Sequence, residues 1–168
     1  MQFKIICFNL WANSYLAKER LKWVLDFINR EHPDILLLVE VTNEIVLDLV
    51  QFLRIAGYFF KVSNESRTVY EIVCSRWQIT NSKFSKYSTT TSDRGMLWAE
   101  IQLQETIVCI AAAQLDSSPA PFSRQLGQFD CILKFLNSRK TVILYCDTQV
   151  IDDPINDQLM RGVRHSLM

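Results

Sequence analysis

The sequence predicts a mixed α/β (α+β) domain, a sandwich of sheets with helices outside, on three observations. Strand-length apolar runs alternate with helical periodicity in the order β-α-β-α-β, a block of antiparallel-type strands follows, and an α-β pair closes the series. No linker, repeat or low-complexity segment interrupts that order. The 168 residues suffice for one real core and are too few for two comfortable ones.

Phe3 to Phe8 reads as the first strand and leads into Asn9. Lys18 to Arg30 places Leu21, Val24, Leu25 and Ile28 on one helical face, and Pro33 ends it. The run Asp34-Ile35-Leu36-Leu37-Leu38-Val39-Glu40-Val41 is a strand buried on both faces and closed by a carboxylate. A second helix spans about Asn43 to Ala56, with Ile45, Val46, Leu49, Val50 and Leu53 apolar and Gly57 placed to close it. Tyr58 to Val62 is a strand, and Asn64-Glu65-Ser66 the turn after it. Thr68 to Ser75, Ile79 to Tyr87, Met96 to Leu103 and Thr106 to Ala113 are further strands, the last two joined through Gln104-Glu105 as a tight hairpin. After a loop at Ser117 to Pro121, a third helix from Phe122 to Asn137 presents Phe122, Leu126, Phe129, Leu133 and Leu136 as one face. The strand Thr141 to Cys146 runs into Asp147. The domain is expected over 1–153, with a polar tail over 154–168 holding at most a short helix at Pro154 to Met160.

Composition narrows the function only a little. Hydrophobic residues at 49% and charged residues at 21% are ordinary for a globular chain. Eighteen basic residues balance eighteen acidic ones, which argues against tight nonspecific DNA binding, and Lys83, Lys86 and Arg94 make only a thin basic patch. Five cysteines (Cys7, Cys74, Cys109, Cys131, Cys146) lack metal-ligand spacing, and those within strand runs read as small core hydrophobes in a reducing compartment. No signal peptide and no membrane-spanning run is evident, so a cytoplasmic or nuclear location is expected.

The chemistry gathers at three strand ends. An acid such as Glu40 at the end of a buried strand must be hydrated, paired or on a metal, because an unpaired buried charge is costly. Asn9 and Asp147 end two other sheet-like runs, so the three side chains would offer oxygen ligands for a hard cation at one rim. The bland reading is that strands end at the surface and carry polar residues there. The tryptophans Trp11, Trp23, Trp77 and Trp98 read as core or rim packing, and Arg161, Arg164 and His165 as a solvated tail.

Cys7-Phe8-Asn9-Leu10-Trp11 and Pro33-Asp34-Ile35-Leu36-Leu37-Leu38-Val39-Glu40-Val41 resemble the opening of the endonuclease/exonuclease/phosphatase superfamily, with its "PDIlflQEV" strand. Arg94 to Ile101 is similar to "RglLcaev", Ala113-Gln114-Leu115-Asp116-Ser117 to "sHLeS", Arg124-Gln125-Leu126 to "R..QL", and Cys146-Asp147-Thr148-Gln149 to "GDtN". The spelling resembles most the branch containing the 5′-tyrosyl-DNA phosphodiesterase. The resemblance implies a four-layer αββα sandwich of DNase I-like type, C-terminally truncated. It implies Glu40 and Asp147 as magnesium ligands and Asp147, Asn9, Gln114 and Gln149 at catalytic positions. Asn9 and Arg94 would contact substrate phosphate.

The departures weigh on function. Gln114 stands where the family has histidine, Gln149 where it has asparagine, and Cys146 where it has glycine. The family's final "SDH" motif has no match, and His165 lacks a preceding aspartate. Losing a general acid or base costs roughly 10²–10⁴ in rate. The expectation is a degenerate member that is weak or inactive and acts through binding, with magnesium retained or lost. The alternative is an active Mg-dependent phosphodiesterase acting on a nucleic-acid end such as 5′-tyrosyl-DNA. Open strand edges further suggest a homodimer or a protein partner covering the shortened sheet.

Overall fold

The structure is a computed structural model that describes residues 3–63, 67–90, 92–117 and 122–149. The turn expected at Asn64-Glu65-Ser66, most of the loop before the third helix, and the tail with its short helix and His165 lie outside these residues.

Eleven elements follow the expected order: β1 (Ile5–Asn9), α1 (Ala17–Glu31), β2 (Ile35–Thr42), α2 (Asn43–Ile55), β3 (Phe59–Val62), β4 (Val69–Ser75), β5 (Ile79–Lys86), β6 (Gly95–Leu103), β7 (Thr106–Gln114), α3 (Phe122–Asn137) and β8 (Val142–Asp147). They form two four-stranded sheets, ordered β1-β2-β4-β3 and β5-β6-β7-β8. The end pairs β1·β2 and β7·β8 are parallel and the rest antiparallel, because only those two are joined through a helical crossover.

Three apolar layers hold the sandwich together. Leu21, Val24 and Ile28 of α1 and Ile45, Leu49 and Leu53 of α2 pack on Leu36, Leu38, Ile72 and Cys74 of the first sheet. Ile35, Leu37, Val39 and Val73 meet Leu97, Ala99, Ile101, Ile110 and Ala112 between the sheets. Ile132 of α3 covers Met96, Trp98, Cys109, Ala111 and Ala113 on the outer face of the second. Each fully buried Leu or Ile stabilises the fold by about 1.5–3 kcal/mol, so the two-faced β2 dominates the core. The layer order is the expected αββα.

The helix ends follow the sequence signals. His32, at φ 47°, caps α1 in the left-handed conformation, its N–H donating to the Ile28 carbonyl, and Pro33 blocks further helix. Gly57, at φ 77°, closes α2 as expected. Gly95, which opens β6, lies so close to the Ser85 carbonyl oxygen that a Cβ would come within 2.5 Å of it.

Two expectations need correction. The buried stripe of α3 is Gln125, Gln128 and Ile132, whereas the expected apolar face is only partly buried. The helix turns its glutamines inward because they bind the chain leaving β7: Gln125 Nε2 donates to the Asp116 carbonyl (2.7 Å), and the Asp116 N–H donates to Gln128 Oε1 (2.9 Å). Cys7 is exposed rather than core, since β1 is an edge strand whose inner face looks into the open side of the sandwich. Trp11 and Trp23 are likewise exposed, whereas Trp98 is buried.

Candidate active site

The sequence places a carboxylate at the end of β2, and the backbone decides where it points. Strand alternation sends Leu36 and Leu38 to the helices and Ile35, Leu37 and Val39 to the second sheet. Regular alternation would send Glu40 to the helices. A bulge between Leu38 and Val41, with Glu40 at φ 59°, adds one residue and turns its side chain toward the second sheet. Left-handed backbone costs a residue with a side chain on the order of 1–3 kcal/mol. Trp11 and Gln149 carry the same strain, at φ 58° and 52°, so three of the seven left-handed non-glycine residues among those described border this rim.

Asn9, Glu40, Arg94, Gln114, Asp147 and Gln149, the six residues singled out in the sequence, form one polar network. Glu40 Oε1 accepts from Gln114 Nε2 and from Gln149 Nε2 (3.3 Å), and Oε2 accepts from the Ala12 N–H (2.7 Å). Asp147 Oδ2 accepts from Asn9 Nδ2 (2.5 Å) and Gln149 Nε2 (2.7 Å). Its Oδ1 accepts from the Gln149 N–H at 3.2 Å. Asn9 Oδ1 in turn takes the Trp11 N–H at 2.7 Å, which fixes the amide with its NH₂ toward Asp147. Arg94 donates to Gln114 Oε1 and stands 3.9 Å from Glu40. Its side chain is largely buried, against the exposed position ordinary for an arginine at a strand start.

A second tier, absent from the sequence reading apart from its motif match, holds Arg94. Buried Asp116 accepts from Thr90 Oγ1 (2.6 Å) and Ser92 Oγ (2.7 Å), and Thr90 Oγ1 accepts the Arg94 N–H at 3.0 Å. Asp116, Gln125 and Gln128 are thus positioning residues. An acid two residues beyond Gln114, inside the motif match, is the available signal in the sequence. The loop after β1 is shaped by Arg20, whose guanidinium binds the carbonyls of Trp11, Asn13 and Tyr15 and lies 5.0 Å from the Trp11 ring. Trp11 stands half-exposed on the rim beside Asn9.

The donor chemistry fits a hard cation. Mg²⁺ uses one or two carboxylates and keeps several waters. Glu40 Oε2 and Asp147 Oδ1 each carry one N–H and retain an uncommitted lone pair. Among the described residues no cluster of three or more His, Cys, Asp or Glu side chains gathers, and no histidine reaches the rim, His32 being the α1 cap. Burial raises the neighbouring Cys146 and Tyr145, each pushed up to about 12, so neither ionises near neutral pH.

No family model matches the chain, and no curated protein matches it in sequence. Solved structures do match. TDP2 of D. rerio, humanized by 14 mutations, superposes with TM-score 0.81 at 18% identity, over 92% of this chain and 65% of its own. ANGEL2, a 2′,3′-cyclic phosphatase, gives 0.77 at 15% over 95% of this chain and 56% of its own. A β-hairpin deletion mutant of β toxin from Staphylococcus aureus gives 0.75 at 12%, over 96% and 72%. This chain therefore spans just under two thirds of the TDP2 structure and little over half of ANGEL2. With its two stacked four-stranded sheets and outer helices, the chain has the DNase I-like αββα fold.

Proposed function

We propose that this chain is a phosphodiesterase-superfamily domain that binds a phosphate diester at the Asn9–Glu40–Asp147 rim and hydrolyses it weakly or not at all. One observation carries the reading: the groups converging there are three amides, a guanidinium and two carboxylates. Amides and guanidinium bind and orient; they do not exchange protons near neutral pH. The imidazole that would relay protons has no counterpart among the described residues at the rim. Glu40 and Asp147 would hold Mg²⁺, which supplies charge neutralisation at a phosphoryl oxygen when bound. Exposed Trp11 suits a substrate with an aromatic group, a nucleic-acid end or an aryl ester. The active alternative rests on the carboxylate pair and needs a proton-transferring group beyond those described at the rim, from another subunit or an unusual residue.

The deciding experiment is Mg²⁺-dependent hydrolysis of a 5′-tyrosyl oligonucleotide and of an aryl phosphodiester, with Asp147→Ala as control. The expected result is a native rate at most marginally above that of the variant. Robust turnover that Asp147→Ala abolishes would overturn the binding reading in favour of the active one.

The reading includes association with a second copy through β1 and β8, which among the described residues pair on one side only and leave Ile5 and Cys7 exposed. Light scattering at tens of micromolar should give the mass of a dimer; a strict monomer sinks this part. A reducing compartment suits the five free cysteines.

A further inference from the structure

Among the described residues, Gln149 is the one side chain hydrogen-bonded to both rim carboxylates. Its Nε2 lies 2.7 Å from Asp147 Oδ2 and 3.3 Å from Glu40 Oε1, while its backbone N–H reaches Asp147 Oδ1 at 3.2 Å. The other donors each serve a single carboxylate: Gln114, Ala12 and Arg94 face Glu40, and Asn9 faces Asp147. Only Gln149 sits between the two, where opposing negative charges most need a positive group. Its left-handed backbone folds the side chain back over the end of β8, and its length gives the amide the reach to span the pair.

We propose that the Gln149 amide is a built-in surrogate for the divalent cation, bridging Glu40 and Asp147 so that a metal ion enters only by displacing it. The inference rests on the reading of these two carboxylates as the cation-holding pair. A carboxamide NH₂ offers two N–H donors bearing partial positive charge, so it neutralises the pair in part without filling a coordination shell. Hydrogen bonds to ionised carboxylates are among the stronger ones. Breaking two of them on metal entry lowers metal affinity by on the order of tenfold or more. Gln149 therefore shapes metal affinity directly and turnover only through it.

The test is direct binding of Mn²⁺, counted as the free ion by electron paramagnetic resonance, to the full chain. Native protein is compared with Gln149→Ala and the near-isosteric Gln149→Met, each alone and combined with Glu40→Gln, with circular dichroism confirming the fold. Both Gln149 variants should bind Mn²⁺ roughly tenfold more tightly than native, and Glu40→Gln should remove the gain. Equal affinity in native and Gln149 variants, lost in every Glu40→Gln protein, would overturn the surrogate while leaving the cation reading intact. No Mn²⁺ binding in any folded variant would overturn both.

Discussion

The two flanks of the sandwich are built on opposite terms. On one, β3 lies against β5 and a buried ion pair locks the edge: Arg67 and Glu71, with side chains 8% and 0% exposed, meet at 2.5 Å. Ser63 Oγ accepts from both the Glu71 N–H (3.0 Å) and Arg67 Nη1 (3.2 Å), and the guanidinium lies 4.4 Å from the Phe84 ring. On the other flank, β1 meets β8 through Asn9 and Asp147, and Ile5 and Cys7 stay exposed. Every described residue of β8 is only partly buried. Among the described residues, an Asn9–Asp147 hydrogen bond joins those two strands across the gap. The contrast separates two duties. The closed flank secures the fold; the open one leaves polar groups free to meet a ligand at the rim.

Two substitutions would break or sharpen that contrast. Glu71→Ala strands a largely buried guanidinium, and removing one partner of a buried pair costs about 3–5 kcal/mol. Urea denaturation should show a loss of that size, and a change below about 1 kcal/mol would mean that the closed flank is not what secures the fold. At the opposite extreme, Ile5→Lys on the open edge should move the unfolding free energy of dilute, monomeric protein by no more than about 0.5 kcal/mol. A larger loss measured the same way would show that β1 is packed more tightly than its exposure indicates.

Most of the fold was legible because periodicity and breakers agree. Pro33 and Gly57 end the first two helices where they stand, and the β2 run declares burial on both faces. The face of α3 misled, because apolar spacing cannot reveal that Gln125 and Gln128 turn inward to hold Asp116. Asn9, Glu40 and Asp147 were legible as polar groups at strand ends, and Arg94, Gln114 and Gln149 only through resemblance to a family. Their separate strand ends do not say that Asn9 and Asp147 meet, and nothing in the string Val39-Glu40-Val41 announces the bulge that aims Glu40. Asp116 stands in a motif match without a role of its own, because one acid after a strand is ordinary until its partners are known.

The Asn9–Asp147 bond joins residues 138 positions apart, between the first and the last described strands. A contact of that span forms only after both sheets have assembled, since loop closure must precede any reward from it. The rim is therefore expected to be among the last parts of the molecule completed during folding. It is also the part that local fluctuation can dismantle while the core between β2 and β7 stays intact. Chains that look fully folded by circular dichroism can thus differ in how many of them hold a competent rim at any instant.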